Sequence, residues 1–178
     1  MSSSSDLPAL LALSKWRWAG PILADLSAHN GARFVEVRQR LGLARDSLSR
    51  TLNAAVDAGW VIPNPGYGHP LRPEYILTHK GERLAIRATA ILEAQAAVTL
   101  APNGLTRWSL PIIHSVSQGH RRFGEISNVL APVGPRALSQ SLKKLMASDL
   151  LNRKLIDDYP PTSLYDLTQQ GKILAAAI

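Results

Sequence analysis

The chain has no cysteine among its 178 residues. Disulfide frameworks, cysteine-based zinc sites and thiol redox switches are therefore excluded together. No apolar run approaches the roughly 18–20 residues of a membrane span. The opening "MSSSSDLPAL" has no basic n-region and no signal-peptide pattern. The five histidines (His29, His69, His79, His114 and His120) show neither H-x3-H nor H-E-x-x-H spacing. No glycine-rich phosphate loop of the Walker or dinucleotide type is present. The acidic pair Asp157-Asp158 lies in a proline-rich turn and reads as solvated. These absences lead to the expectation of a soluble cytoplasmic protein that is not an enzyme and carries no metal or cofactor.

What is present is positive charge and repetition. The formal net charge is +7. Residues 1–100 hold 11 Lys/Arg against 8 Asp/Glu, and the remainder 9 against 5, so both halves are mildly basic. That balance suits a polyanionic partner. The repeat is plain at "YILTHKGERLA" (75–85) and "YDLTQQGKILA" (165–175), which agree at six of eleven positions. At the same offset of 90, "WAGPILADLS" from Trp18 faces "WSLPIIHSVS" from Trp108. "RFVEVRQRL" (33–41) faces "RFGEISNVL" (122–130) at an offset of 89, and "SLSRTLNAAVDAGWV" (47–61) faces "ALSQSLKKLMASDLL" (137–151) at 90 again. A unit of this length exceeds a solenoid repeat of about 20–50 residues and has the size of a small domain. The expectation is a tandem duplication: residues 1–85, a linking helix over 86–104, and residues 105–178.

Each half runs through the same patterns. Trp18, Ile22, Leu23 and Leu26, and Trp108, Ile112, Ile113 and Val116, recur at helical spacing. Pro21 and Pro111 place the start or a bend of that helix. After Gly31 or Gly119 a short second helix carries Phe34, Val37 and Leu41, or Phe123, Ile126 and Leu130. A third helix opens in the second half with Gly134 as N-cap and Pro135 at its first position. Its apolar face is Leu138, Leu142, Leu145 and Met146; the first half repeats it as Leu48, Leu52, Ala55 and Val56. "WVIP" with "EYILT", and "LLNRKL" with "LYDLT", read as strand pairs around turn-rich tips. Thr78 and Thr168 are placed to cap a final helix. The four tryptophans read as core anchors. The fold class expected is mainly α with small β-hairpin wings (α+β): two tandem winged helix-turn-helix domains joined by a long helix ended by Pro102, Asn103 and Gly104.

The stretches "GHRRFGEI" (119–126), "VGPRALSQSLKKL" (133–145) and "YPPTSLYDLTQQGKIL" (159–174) resemble the HxlR-type winged helix-turn-helix transcriptional regulators. The first half is more diverged: "LARDSLSRTL" lacks the proline before the third helix, and "HPLRPEYILTHKG" keeps only the first of the paired prolines. Gly134 stands where that family usually has serine. Many members carry a redox-active cysteine near the N-terminus; none exists here, so a thiol-sensing role does not carry over. The resemblance implies a transcriptional regulator, most often a repressor, that binds double-stranded DNA. It also implies a dimer built by flanking helices. Here the two halves can form a pseudo-dimer within one chain, with a homodimer as the other arrangement. The operator, the regulated genes and any small-molecule effector are not specified.

In such folds the third helix lies in the major groove. With the leucines inward, a turn of about 100° per residue directs Arg136, Gln140, Lys143 and Lys144 outward, with Ser139 on the flank. The first half presents Asp46, Arg50, Asn53 and Ala54, with Ser49 on the flank. Arginine suits guanine and glutamine adenine, the lysines serve guanine or phosphate, and Asp46 can accept from cytosine N4 or face the helix N-terminus. His69 and Arg72 on one wing, and Arg153 and Lys154 on the other, are placed for phosphate or the minor groove. Arg121 and Arg122 stand as phosphate contacts or as capping and ion-pairing groups within the fold. A competing expectation is a tandem winged-helix adaptor that binds protein partners in chromosome segregation or another assembly; the basic charge and the cationic third helix favour DNA.

Overall fold

A computed structural model describes residues 3–64, 74–101, 104–131, 133–156 and 162–178, with side chains from Leu7 onward. The chain divides into two compact units. The N-terminal unit is Lys15–Glu93; the C-terminal unit joins Met1–Ser14 to Ala94–Ile178.

The N-terminal unit contains α2 (Ala19–Ala28), β1 (Ala32–Arg33), α3 (Phe34–Leu41), α4 (Arg45–Asp57), β2 (Val61–Asn64), β3 (Glu74–Leu77) and the larger part of α5 (His79–Ala97). Its strands form an antiparallel sheet in the order β1-β3-β2. Val61 pairs with Leu77 at the root of the hairpin, and Ala32 pairs with Tyr75. The core is Ile22, Leu23, Leu26, Val37, Leu48, Leu52, Trp60 and Val61, all buried. The helical members come from one face each of α2, α3 and α4, as the helical spacing requires.

The C-terminal unit contains α1 (Ser3–Lys15, up to Ser14), the end of α5, α6 (Ser109–Ser117), α7 (Phe123–Val129), α8 (Pro135–Ala147), β4 (Leu151–Ile156), β5 (Thr162–Leu167) and α9 (Gln169–Ala176). β4 and β5 pair from Leu151↔Leu167 to Ile156↔Thr162. In place of a third strand, Arg122 makes a single bridge to Leu164. Ile112, Ile113, Ile126, Leu130, Leu138, Leu142, Leu145, Leu150 and Leu174 form the core, with Ala94, Val98 and Leu7 against it. Each fully buried leucine contributes about 1.5–3 kcal/mol relative to exposure.

Two details differ from the sequence expectations. The short strand β1 was not anticipated; two residues are too few for a period-two signal. The long helix stops at Ala97, before Pro102: Thr99 adopts φ 57°, and the Leu100 N–H bonds to the Gln95 carbonyl at 2.8 Å. That is a left-handed helix stop made by threonine, a residue that gives no such signal in sequence. Of the four tryptophans, Trp60 is buried, while Trp16, Trp18 and Trp108 are half-buried. Arg17 and Arg107 sit over the Trp18 and Trp108 rings, 5.5 and 5.1 Å from their centroids.

The repeated Thr-x-x-Gly stretch has a specific task in each unit. Both α4 and α8 end in the same motif, with Gly59 at φ 68° and Asp149 at φ 52°. The Trp60 and Leu150 N–H groups bond back to Ala55 and Leu145, each at 2.9 Å, closing the helix end. Thr78 Oγ1 then donates to the Gly59 carbonyl at 2.7 Å, and Thr168 Oγ1 to the Asp149 carbonyl at 2.6 Å. The same oxygens accept from the Gly81 and Gly171 N–H groups at 3.1 and 3.0 Å, capping α5 and α9. The glycines are required by proximity. A Cβ on Gly81 would lie 2.0 Å from the Trp60 carbonyl oxygen, and one on Gly171 would lie 2.1 Å from that of Leu150. One threonine thus ties the end of the third helix to the start of the last.

Candidate nucleic-acid interface

The third helix of each unit has one buried and one open side. On α8, Leu138, Leu142 and Leu145 are buried, while Arg136, Gln140, Lys143 and Lys144 are exposed and Ser139 is half-buried. On α4, Leu48, Leu52 and Ala55 are buried; Asp46, Arg50 and Asn53 are exposed, and Ser49 is half-buried. The helices start with extended N-caps, Ala44 and Gly134, and Pro135 supplies the preset φ of the first turn in α8. Each helix hides one hydroxyl by bonding it to the carbonyl four residues back: Thr51 to Ser47 and Ser141 to Ala137, both at 2.8 Å. Arg50 folds along its own helix, with Nε donating to the Asp46 carbonyl at 3.2 Å. Arg136, Gln140, Lys143 and Lys144 therefore form one polar, three-cation strip, whereas the α4 strip carries one arginine and one carboxylate.

The second helices are anchored from below. Glu125 Oε2 accepts from the backbone N–H groups of Arg122 and Arg121, each at 2.9 Å. Those two bonds hold its carboxyl below the ordinary carboxylate range. Glu36 accepts from the Arg33 N–H at 2.7 Å in the same way. In the N-terminal unit Arg40 makes two bonds of 2.8 Å to the carboxylate of Asp25, fixing α3 to α2. His29 Nδ1 donates to the Asp25 carbonyl at 2.8 Å. The Arg40–Asp25 pair is absent from the sequence expectations; its partners lie fifteen residues apart, beyond the reach of helix periodicity.

The remaining expected cations divide. Arg121 is engaged within the fold, in an ion pair with Asp166. Arg122 is exposed at the start of α7. Arg153 and Lys154 are exposed on β4, and Arg153 Nε donates to Ser163 Oγ at 2.9 Å. His69 and Arg72 lie outside the described residues, as does Asp157-Asp158. Each unit also has an open hollow lined by arginines. One is lined by Arg122, Phe123, Glu125, Arg153, Ser163 and Tyr165. The other, of about 380 Å³, is lined by Phe34, Val35, Arg38, Arg45, Ser49 and Tyr75. Arg38 and Arg45 were not singled out from sequence, although the run Arg38, Arg40, Arg45 was there to be read.

A three-helix unit followed by a hairpin, with a cationic third helix, is the architecture of winged helix-turn-helix proteins. Residues 105–178 match the HxlR-like helix-turn-helix family. The homologues are HTH-type transcriptional regulators. YodB of Bacillus subtilis (strain 168) is 31% identical over 70 residues, covering 39% of this chain and 62% of that protein. An HTH-type regulator of Methanothermobacter thermautotrophicus is 32% identical over 66 residues, covering 37% and 50%. The chain thus spans about half to three-fifths of the length of these curated relatives. Among solved structures, diamide-treated YodB from B. subtilis is 24% identical, covering 51% of this chain and 80% of that one, with a TM-score of 0.39. Among the described residues, no helix is long and apolar enough to cross a membrane.

Proposed function

We propose that the chain is a sequence-specific, double-stranded-DNA-binding transcriptional regulator that represses by occupying its promoter. The observation that carries this reading is the α8 strip. Arg136, Gln140, Lys143 and Lys144 stand exposed opposite three buried leucines, inside the segment that matches the family. Arginine can bond guanine through two donors and glutamine can bond adenine; the lysines serve guanine or phosphate. α4 reads a second site with Arg50, Asn53, Ser49 and Asp46. Arg153 and Lys154 on the C-terminal wing meet backbone or minor groove, which positions the protein rather than specifying sequence. The two units are a tandem duplication that acts as a pseudo-dimer in one chain. The matching Thr-x-x-Gly ties, at Thr78/Gly81 and Thr168/Gly171, support that descent.

Footprinting on the DNA upstream of the gene, followed by competition gel shifts, tests the reading. Arg136→Ala and Gln140→Ala should each weaken specific binding by about 1–3 kcal/mol, the usual worth of a base-edge contact. Equal weakening on specific and random DNA would reassign both residues to phosphate.

A further inference from the structure

Resting on the DNA-binding reading, we infer that Arg38 and Arg45 form a seat for one backbone phosphodiester beside α4. Arg38 comes from the last turn of α3 and Arg45 from the first residue of α4; the chain between them turns through Gly42, at φ 60°. Both guanidinium-bearing side chains line the same hollow and both are exposed. Neither has an ion-pair partner among the described residues. Their neighbour Arg40 is different: it is tied to Asp25, and so it fixes α3 to α2. Of the pair that remains open, Arg38 therefore stands on a braced helix.

The lining chemistry selects the ligand. Two guanidinium groups from separate elements offer planar, multiple N–H donors that suit phosphate oxygens. The Ser49 hydroxyl adds a neutral donor on the same wall. Phe34 and Val35 supply an apolar floor against which a deoxyribose can rest, and Val35 is 62% exposed. The hollow is open, so it accommodates a chain that passes across it. Ser49 also flanks the outward strip of α4, so a phosphate seated here brings the adjoining bases to that strip.

The C-terminal unit puts its cations elsewhere on an equivalent floor. There Phe123 and Tyr165 replace Phe34 and Tyr75, and the arginines are Arg122 and Arg153, the second from the wing strand. In the N-terminal unit both arginines come from helices. Its backbone grip is thus complete within α3 and α4, and compensates for the carboxylate of Asp46 on its reading strip.

The test is the salt dependence of binding by the full chain to its footprinted site and to random DNA. The slope of log affinity against log salt falls by about 0.9 for each phosphate that the protein ceases to neutralise. Arg38→Gln with Arg45→Gln should lower the slope by about 0.9 and weaken both DNAs by the same factor, about tenfold at moderate salt. Arg38→Lys with Arg45→Lys should restore the slope and only part of the affinity, because a point charge replaces the planar fork. Arg83→Gln, which removes one exposed cation outside the hollow, should leave the slope unchanged; thermal melts check that the variants fold. An unchanged slope in the double glutamine variant overturns the seat while leaving the regulator reading standing. Weakening confined to the specific site also overturns it, since it would make these residues base readers. Failure of the unaltered chain to bind any DNA removes both readings.

Discussion

Replacing Gly171 by alanine separates two physical effects of opposite sign. On helix propensity alone, the change near the start of α9 would stabilise by up to about 1 kcal/mol. The structure opposes this. The added Cβ would sit 2.1 Å from the Leu150 carbonyl oxygen and 3.2 Å from Leu167 Cδ2. The carbonyl belongs to backbone already held by the Thr168 N–H at 3.2 Å, so it cannot turn aside freely. α9 must move, and the bonds from the Thr168 amide and hydroxyl to Leu150 and Asp149 stretch with it. Overpacking of this kind costs about 1–3 kcal/mol, and each broken hydrogen bond about 0.5–1.5 kcal/mol. Set against the propensity gain, the net destabilisation is about 3 kcal/mol. At a urea slope of about 2 kcal/mol per molar, the transition that reports the C-terminal unit should fall by about 1.5 M. Gly124→Ala in α7, where a Cβ meets nothing within 4 Å, is the control and should stabilise by a few tenths to about 1 kcal/mol. An unchanged or higher midpoint for Gly171→Ala would refute the steric account.

Further predictions concern charge and symmetry. Arg40→Ala should destabilise the N-terminal unit more than Asp25→Ala does, by about 3 against about 1–2 kcal/mol, read by urea titration. The reason is that the Asp25 side chain is 7% exposed and is left buried as an ion, whereas Arg40, at 31%, can return to water. Glu125 has a depressed carboxyl pKa in the fold, so its contribution is present above the ordinary glutamate range and is lost as pH falls through the folded value. Glu125→Gln should therefore flatten the decline of stability below about pH 4, measured by thermal melts across pH. Selection of binding sites from random DNA, with stoichiometry measured, should return two unlike half-sites for one chain, because Arg136, Gln140, Lys143 and Lys144 differ from Asp46, Arg50, Asn53 and Ala54; a strict palindrome bound by one chain would contradict it.

Sequence was most informative where one residue's neighbours lie along a single element. The leucine periodicity of 138–145 placed the buried face of α8, and Gly134-Pro135 placed its start, because both signals are local to a helix. Where two distant segments must meet, it was silent. β1 exists because Ala32 and Arg33 lie against Tyr75 and Glu74, and no two-residue pattern announces that. Asp25 and Arg40 face each other only once α2 and α3 have packed. Gly171 was visible as a repeated letter, but its purpose depends on the Leu150 carbonyl, which approaches from outside the motif. The hollow of Arg38 and Arg45 likewise needs the left-handed turn at Gly42 to bring two helices' cations to one wall.

The threonine ties have a consequence for how this architecture can change. In each unit the hairpin is pinned at its root: Val61 opposite Leu77 and Leu151 opposite Leu167, with Thr78 and Thr168 bonded to the residues just before the first strand. The root of each hairpin is thus closed by bonds that do not depend on the hairpin's length. Lengthening such a hairpin costs mainly loop closure, about 0.6 kcal/mol per doubling of the loop. The wing is therefore an exchangeable part. It can be re-cut while α4 and α8 keep their packing, so the hairpin and the third helix can be revised separately in each unit.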